Sequence, residues 1–86
     1  DSKLELKLTG ADDLEFLVRE VGTDIFILAA KREGATAKVH FAGLPATDQQ
    51  GTVLYESPRK IAIQNGGFDD WFAPNDVHVY QIKRHQ

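Results

Sequence analysis

The chain has 86 residues, with no cysteine and no methionine, and ten Lys and Arg against thirteen Asp and Glu give a net charge of −3. That length supports one domain near the lower limit of unassisted folding, and the absent cysteines exclude a disulfide framework or a thiolate metal site. Charge signs alternate along the chain and no apolar run approaches the ~20 residues of a membrane helix, so neither nucleic acid nor membrane is an expected partner.

Leu4, Leu6 and Leu8 alternate with Lys3, Glu5 and Lys7, the pattern of a half-buried strand with a charged outer face suited to a sheet edge. Residues 14–21 fit two templates. Leu14, Leu17, Val18 and Val21 fall at helical spacing with Asp12 placed as an N-cap, but Phe16 would then face water. A strand pairing with its neighbour across Gly22-Thr23 is the preferred assignment. Ile25-Phe26-Ile27-Leu28-Ala29-Ala30 is an unbroken apolar run, which predicts a central strand buried on both faces. Ala37, Val39 and Phe41 alternate with Lys38 and His40, again a strand with one wet face. A polar loop is expected over residues 46–51, followed by a short strand, Val53-Leu54-Tyr55, stopped by Ser57-Pro58.

Asn65-Gly66-Gly67 is a hairpin signal, because Asn and Gly tolerate positive φ, and it would tie residues 60–64 against residues 68–72. Phe68, Asp70 and Phe72 then share one face, with Asp69 and Trp71 on the other. Pro74 turns the chain, and residues 77–84 form a last strand with Val77 and Val79 on one side and His78, Tyr80 and Ile82 on the other. Apolar bulk on both sides predicts that this strand is covered twice. Seven to eight short strands at about ten-residue spacing predict an all-β fold, a small antiparallel β-sandwich.

Candidate chemistry is sparse. The basic pairs Lys31-Arg32, Arg59-Lys60 and Lys83-Arg84 sit at expected strand ends and read as solvated edges. Asp76 and His78 share a strand face, but a histidine hydrogen-bonded to a loop carboxylate is preferred to an acid–base pair. Ser2 and Ser57 lack the elbow context of a nucleophile. His40, His78 and His85 have no spacing for a shared metal, with His40 on an outer face and His85 in a frayed tail. Asp69, Asp70, Asn75 and Asp76 cluster near one turn, where loop carboxylates more often cap backbone amides than bind calcium. No cofactor or metal is expected. Trp71, Tyr55 and Tyr80 are the candidates for a platform on which sugar rings stack.

The stretch Phe68-Asp69-Asp70-Trp71-Phe72-Ala73-Pro74-Asn75-Asp76-Val77-His78-Val79-Tyr80-Gln81-Ile82 resembles the close of many glycoside hydrolases with a (β/α)8 barrel. Leu17-Val18-Arg19-Glu20, Ile27-Leu28-Ala29-Ala30, Ala37-Lys38-Val39-His40-Phe41-Ala42-Gly43-Leu44-Pro45 and Val53-Leu54-Tyr55-Glu56 agree in order. Lys31 departs from the resemblance, since relatives commonly carry Asn there. The resemblance implies a non-catalytic C-terminal accessory domain that packs against the catalytic barrel, whose two carboxylates have no counterpart here. Residues 1–86 are then one domain excised from a larger, secreted or periplasmic bacterial enzyme, a reading that suits a chain beginning at Asp1. Its partner would be the catalytic domain of the same chain, with Trp71, His78, Tyr80 and Ile82 as candidate interdomain residues. An oligo- or polysaccharide-binding module using Trp71, Tyr55 or Tyr80 is one alternative, and an immunoglobulin-like spacer is another.

Overall fold

Eight strands and no helix occupy the described residues, 4–56 and 59–85, of the computed structural model. They are β1 (Lys7–Thr9), β2 (Leu14–Val21), β3 (Asp24–Lys31), β4 (Ala37–Ala42), β5 (Gln50–Leu54), β6 (Arg59–Ala62), β7 (Phe68–Phe72) and β8 (Val77–Lys83). All pairings are antiparallel, in a three-stranded sheet of order β1-β4-β7 and a five-stranded sheet of order β2-β3-β8-β5-β6. The two sheets pack together as a small β-sandwich, the expected all-β class.

Alternation in the sequence decides which side chains enter the core. Ile25, Ile27 and Ala29 of β3, Tyr80 and Ile82 of β8, Val53 of β5 and Ile61 of β6 supply one wall. Val39, Phe41, Phe68 and Phe72 supply the other. An aromatic cluster crosses between them. Phe41 stacks on Phe68 with centroids 4.3 Å apart, and Tyr80 meets Phe41 and Phe68 edge-on at 5.3 and 5.0 Å.

Residues 14–21 are a strand, paired with β3 along their whole length from Leu14↔Lys31 to Val21↔Asp24. The helical spacing there is incidental, because Leu14, Phe16 and Val18 share the inner side of a strand while Leu17 and Val21 face out. The first strand is shorter than expected: of Leu4, Leu6 and Leu8 only Leu8 lies in β1, an edge of the smaller sheet as expected, while Leu6 is buried outside any strand.

Three expectations need correction. The outer faces of β3 and β8 are not covered within the domain: Phe26 and Val79 are half-buried, and Leu28 and Val77 are exposed. Two layers make this fold, so a central strand meets protein on one side only. The Asn65-Gly66 turn exists, with φ of 53° and 74° and reciprocal hydrogen bonds between Gln64 and Gly67, but it is one rung deep. Beyond it β6 and β7 part into different sheets, so the turn is a corner rather than a hairpin. Residues 50 and 51 belong to β5, not to a loop. Gly51 is buried there, and a Cβ on it would lie 2.9 Å from Ile82 Cγ1. Ser57 and Pro58, expected to stop that strand, fall outside the described residues, as do Ser2 and Lys3.

Candidate functional site

The outer face of the five-stranded sheet carries a contiguous apolar row. Leu17 pairs with Leu28, Leu28 with Val79, and Val79 with Leu54, so one aliphatic row crosses β2, β3, β8 and β5. Phe26, Ala30 and Val77 flank it on the same face. Leu17 is 69% exposed and Val77 54%. A shallow hollow of about 280 Å³ opens on the same side, lined by Leu17, Val18, Arg19, Phe26, Leu28 and Val79. Scattered apolar residues are ordinary on a surface, but a contiguous row of them marks an interaction face.

A second feature lies where β6 and β7, the edge strands of the two sheets, approach each other. Arg59 donates from Nη1 and Nη2 to the two oxygens of Asp70, each at 2.9 Å. Tyr80 Oη donates to Asp70 Oδ2 at 2.6 Å, and the Trp71 amide donates to Oδ1 at 2.9 Å. The chain of contacts continues outward. Arg59 Nε reaches Glu56 Oε1 at 3.2 Å, Glu56 Oε2 lies 2.6 Å from His78 Nδ1, and His78 Nε2 lies 3.0 Å from the Trp71 carbonyl. Burial alone would push the Asp70 carboxyl up, but Arg59, Tyr80 and the Trp71 amide hold it below the usual carboxylate range. Burial, then the Asp70 carboxylate, push the Tyr80 phenol up, and Asp70 does the same for the Arg59 guanidinium.

Chemically this cluster is a staple. A carboxylate has about four lone-pair positions, and Asp70 has donors on all of them. No buried side-chain nitrogen or oxygen among the described residues lacks a partner.

The sequence-derived candidates separate. Tyr80 and Ile82 are wholly buried inside the domain, so neither can stack on a sugar nor touch a neighbouring domain. His78 is also buried, edge-on to Phe72 at 4.4 Å, with its ring committed to Glu56 and the Trp71 carbonyl. Asp76 Oδ2 instead accepts from the Ala73 amide at 2.7 Å and stays 3.8 Å from the His78 ring. The last strand does have one face in the core, but it is the His78, Tyr80 and Ile82 face. Val77 and Val79 are the outward pair.

Trp71 is exposed on the outer face of the other sheet, opposite Lys38 of β4, and Asp69 beside it meets His40 at 2.6 Å. Asp69 and Asp70 therefore point to opposite sides and cannot share a cation. His85 is not a free tail end: its amide donates to the Ala46 carbonyl and its ring lies 2.5 Å from Asp48.

Two of the expected solvated cations are embedded. Lys31 is buried, with Nζ 2.9 Å from Asp13 Oδ2, and that hydrogen bond holds the Asp13 carboxyl below its usual range. Arg59 is half-buried in the bridge to Asp70 just described. Both were visible in principle. Lys31 is in phase with Ile25, Ile27 and Ala29, and Asp70 with Phe68 and Phe72, so each had to bring a counter-charge inside.

Tyr55 is the most exposed aromatic, at 90%, and its backbone is left-handed with φ of 62°. That conformation costs an ordinary residue roughly 1–2 kcal/mol, and glycine recovers part of it. Tyr55→Gly is therefore expected to raise stability by about 0.5 kcal/mol in urea unfolding. A loss of similar size would mean that the tyrosine ring packs on the domain.

Fold and surface together define a small antiparallel sandwich with one sticky face and a saturated polar staple. In comparisons with protein-family models, curated proteins and solved structures, the chain matches none.

Proposed function

We propose that this chain is a non-catalytic accessory domain that packs the outer face of its five-stranded sheet onto a neighbouring domain. The observation that carries this is the aliphatic row Leu17, Leu28, Val79 and Leu54, left open to water on a sheet whose other face is a complete core. The resemblance of residues 68–82 to the close of barrel glycoside hydrolases names the neighbour, a catalytic (β/α)8 barrel in the same polypeptide. The staple supports the non-catalytic role. Asp70 is saturated with donors and both nitrogens of His78 face acceptors, so neither group is free to move a substrate proton.

Two measurements decide it. The gene is expected to encode a barrel with paired catalytic carboxylates upstream of Asp1; any other upstream sequence ends the glycosidase reading. In the longer polypeptide, Leu28→Glu with Val79→Lys is expected to separate the melting of this domain from that of its neighbour. A single unchanged transition would show that the face is not the contact.

The carbohydrate-binding alternative rests on Tyr55, held exposed in a costly backbone conformation, and on Trp71, 59% exposed. His78 bonds Glu56, the residue after Tyr55, and the Trp71 carbonyl. Trp71 fluorescence is expected to stay unchanged during titration with a panel of oligosaccharides. A saturable shift would favour the binding module.

A further inference from the structure

A sandwich of two sheets has four edges, and three of them here are short. β1 has three residues, β6 four and β7 five, and the Arg59–Asp70 bridge closes the side where β6 and β7 meet. The fourth edge, β2, runs eight residues in unbroken register with β3 and has no other strand beside it among the described residues. It contains no proline, no lysine and no bulge, and its charges are Glu15 and Arg19 on the outer side and Glu20 on the inner side, the last held by Arg84. Over residues 14–19 its backbone groups on the side away from β3 are a template for another strand.

We propose that the occupant is β2 of a second copy of this chain, joined antiparallel across a two-fold axis at Leu17. The strand's own symmetry selects that register. Facing residues must aim their N–H and C=O groups at each other, which alternate residues do, so a two-fold pairing has to centre on a residue. Centred on Leu17, Glu15 lies opposite Arg19 of the second copy, and Arg19 opposite its Glu15. Phe16 then faces Val18 on the inner side. Centring on Val18 sets Arg19 against Leu17 and Glu15 against Val21. Centring on Phe16 sets Glu15 against Leu17, and its one charge match uses Asp13, which lies outside the strand and is held by Lys31.

The Leu17 register also does something the others do not. It places Leu17 against Leu17, so the outer row Leu54, Val79, Leu28, Leu17 continues without a break into the second copy. The product is one ten-stranded sheet with a closed, isologous interface. Glu15 already pairs with Arg32, but both side chains are largely exposed, and such a pair is worth little against a new cross-strand partner. This inference concerns the sheet edge and stands apart from what covers the sheet face.

The test is sedimentation of the 86-residue chain over a wide concentration range, with charge-reversed variants checked for native melting. The wild-type chain is expected to be a monomer–dimer equilibrium. Glu15→Arg alone and Arg19→Glu alone each set like charges opposite twice, and each is expected to weaken dimerisation about tenfold or more. Mixing those two variants is expected to restore it, since each then meets its opposite. A strictly monomeric wild type, assemblies larger than a dimer, or a mixture no tighter than its components would each overturn the proposal. Should a variant melt early, amide exchange in the wild type reads the same contact. Protection at alternate β2 residues that disappears on dilution supports the interface, and its absence at high concentration refutes it.

Discussion

Asp70→Ala is expected to lower the unfolding free energy by about 2–4 kcal/mol, within and just below the range for breaking a buried ion pair. The lower values apply because Arg59 keeps about a third of its side chain, 34%, in water and can recover some hydration. The loss is still large, because the variant strands Tyr80 Oη, the Trp71 amide and the guanidinium together. Against a total stability of about 5–10 kcal/mol for a domain of this size, much of the margin goes. Urea unfolding measures it, and a change under 1 kcal/mol would show that water replaces the carboxylate without cost.

The same residue sets an acid limb. Asp70 is held below its ordinary value in the folded chain, so the stability it adds is present above the unfolded value, about 3.9. It is lost as pH falls through the lowered folded value. The difference between wild type and Asp70→Asn is therefore expected to be flat between about pH 5 and 8 and to shrink below about pH 4. Tyr80 acts in the opposite direction. Its phenol is pushed up, so its contribution is present below about pH 10 and is lost as pH rises beyond.

Phe41→Ala is expected to cost about 3–5 kcal/mol. Phe41 has no exposed surface, stacks on Phe68 at 4.3 Å and lies 6.2 Å from Phe72 and 5.3 Å from Tyr80. From the middle strand of the smaller sheet it meets rings of both β7 and β8. A cavity there loosens the sheets against each other, so the near-ultraviolet circular dichroism of Tyr80 should fade before the far-ultraviolet signal. Phe41→Leu keeps most of the volume and is expected to cost about 1–2 kcal/mol. A Phe41→Ala variant melting like wild type would mean that the aromatic cluster is not what joins the sheets.

The strands themselves were legible, because alternation such as Val39 and Phe41 against Lys38 and His40 has only one structural meaning at that length. Which strands become neighbours was not. β8 inserts between β3 and β5, and β7 beside β4, and nothing local in residues 68–84 encodes those choices. The staple was half legible. Asp70 between Phe68 and Phe72 announces an inward charge, but its partner Arg59 lies across a corner in another sheet. The doubly apolar character of β3 and β8 was also correctly visible, while the lack of a third layer to cover it belongs to the packing of the whole domain. Tyr80 misled because an aromatic near the chain end suits a core as well as it suits a sugar platform.

β8 sits between two hairpins that can form without it, β2 with β3 across Gly22-Thr23, and β5 with β6. It is also the last of the eight strands to leave the ribosome. Until then the β2–β3 ribbon has both rims bare and its greasy side uncovered, a state in which small β proteins recruit chaperones or clump together. Completion of the larger sheet therefore waits for residues 77–83, and the β2–β3 ribbon keeps its second rim exposed until they arrive.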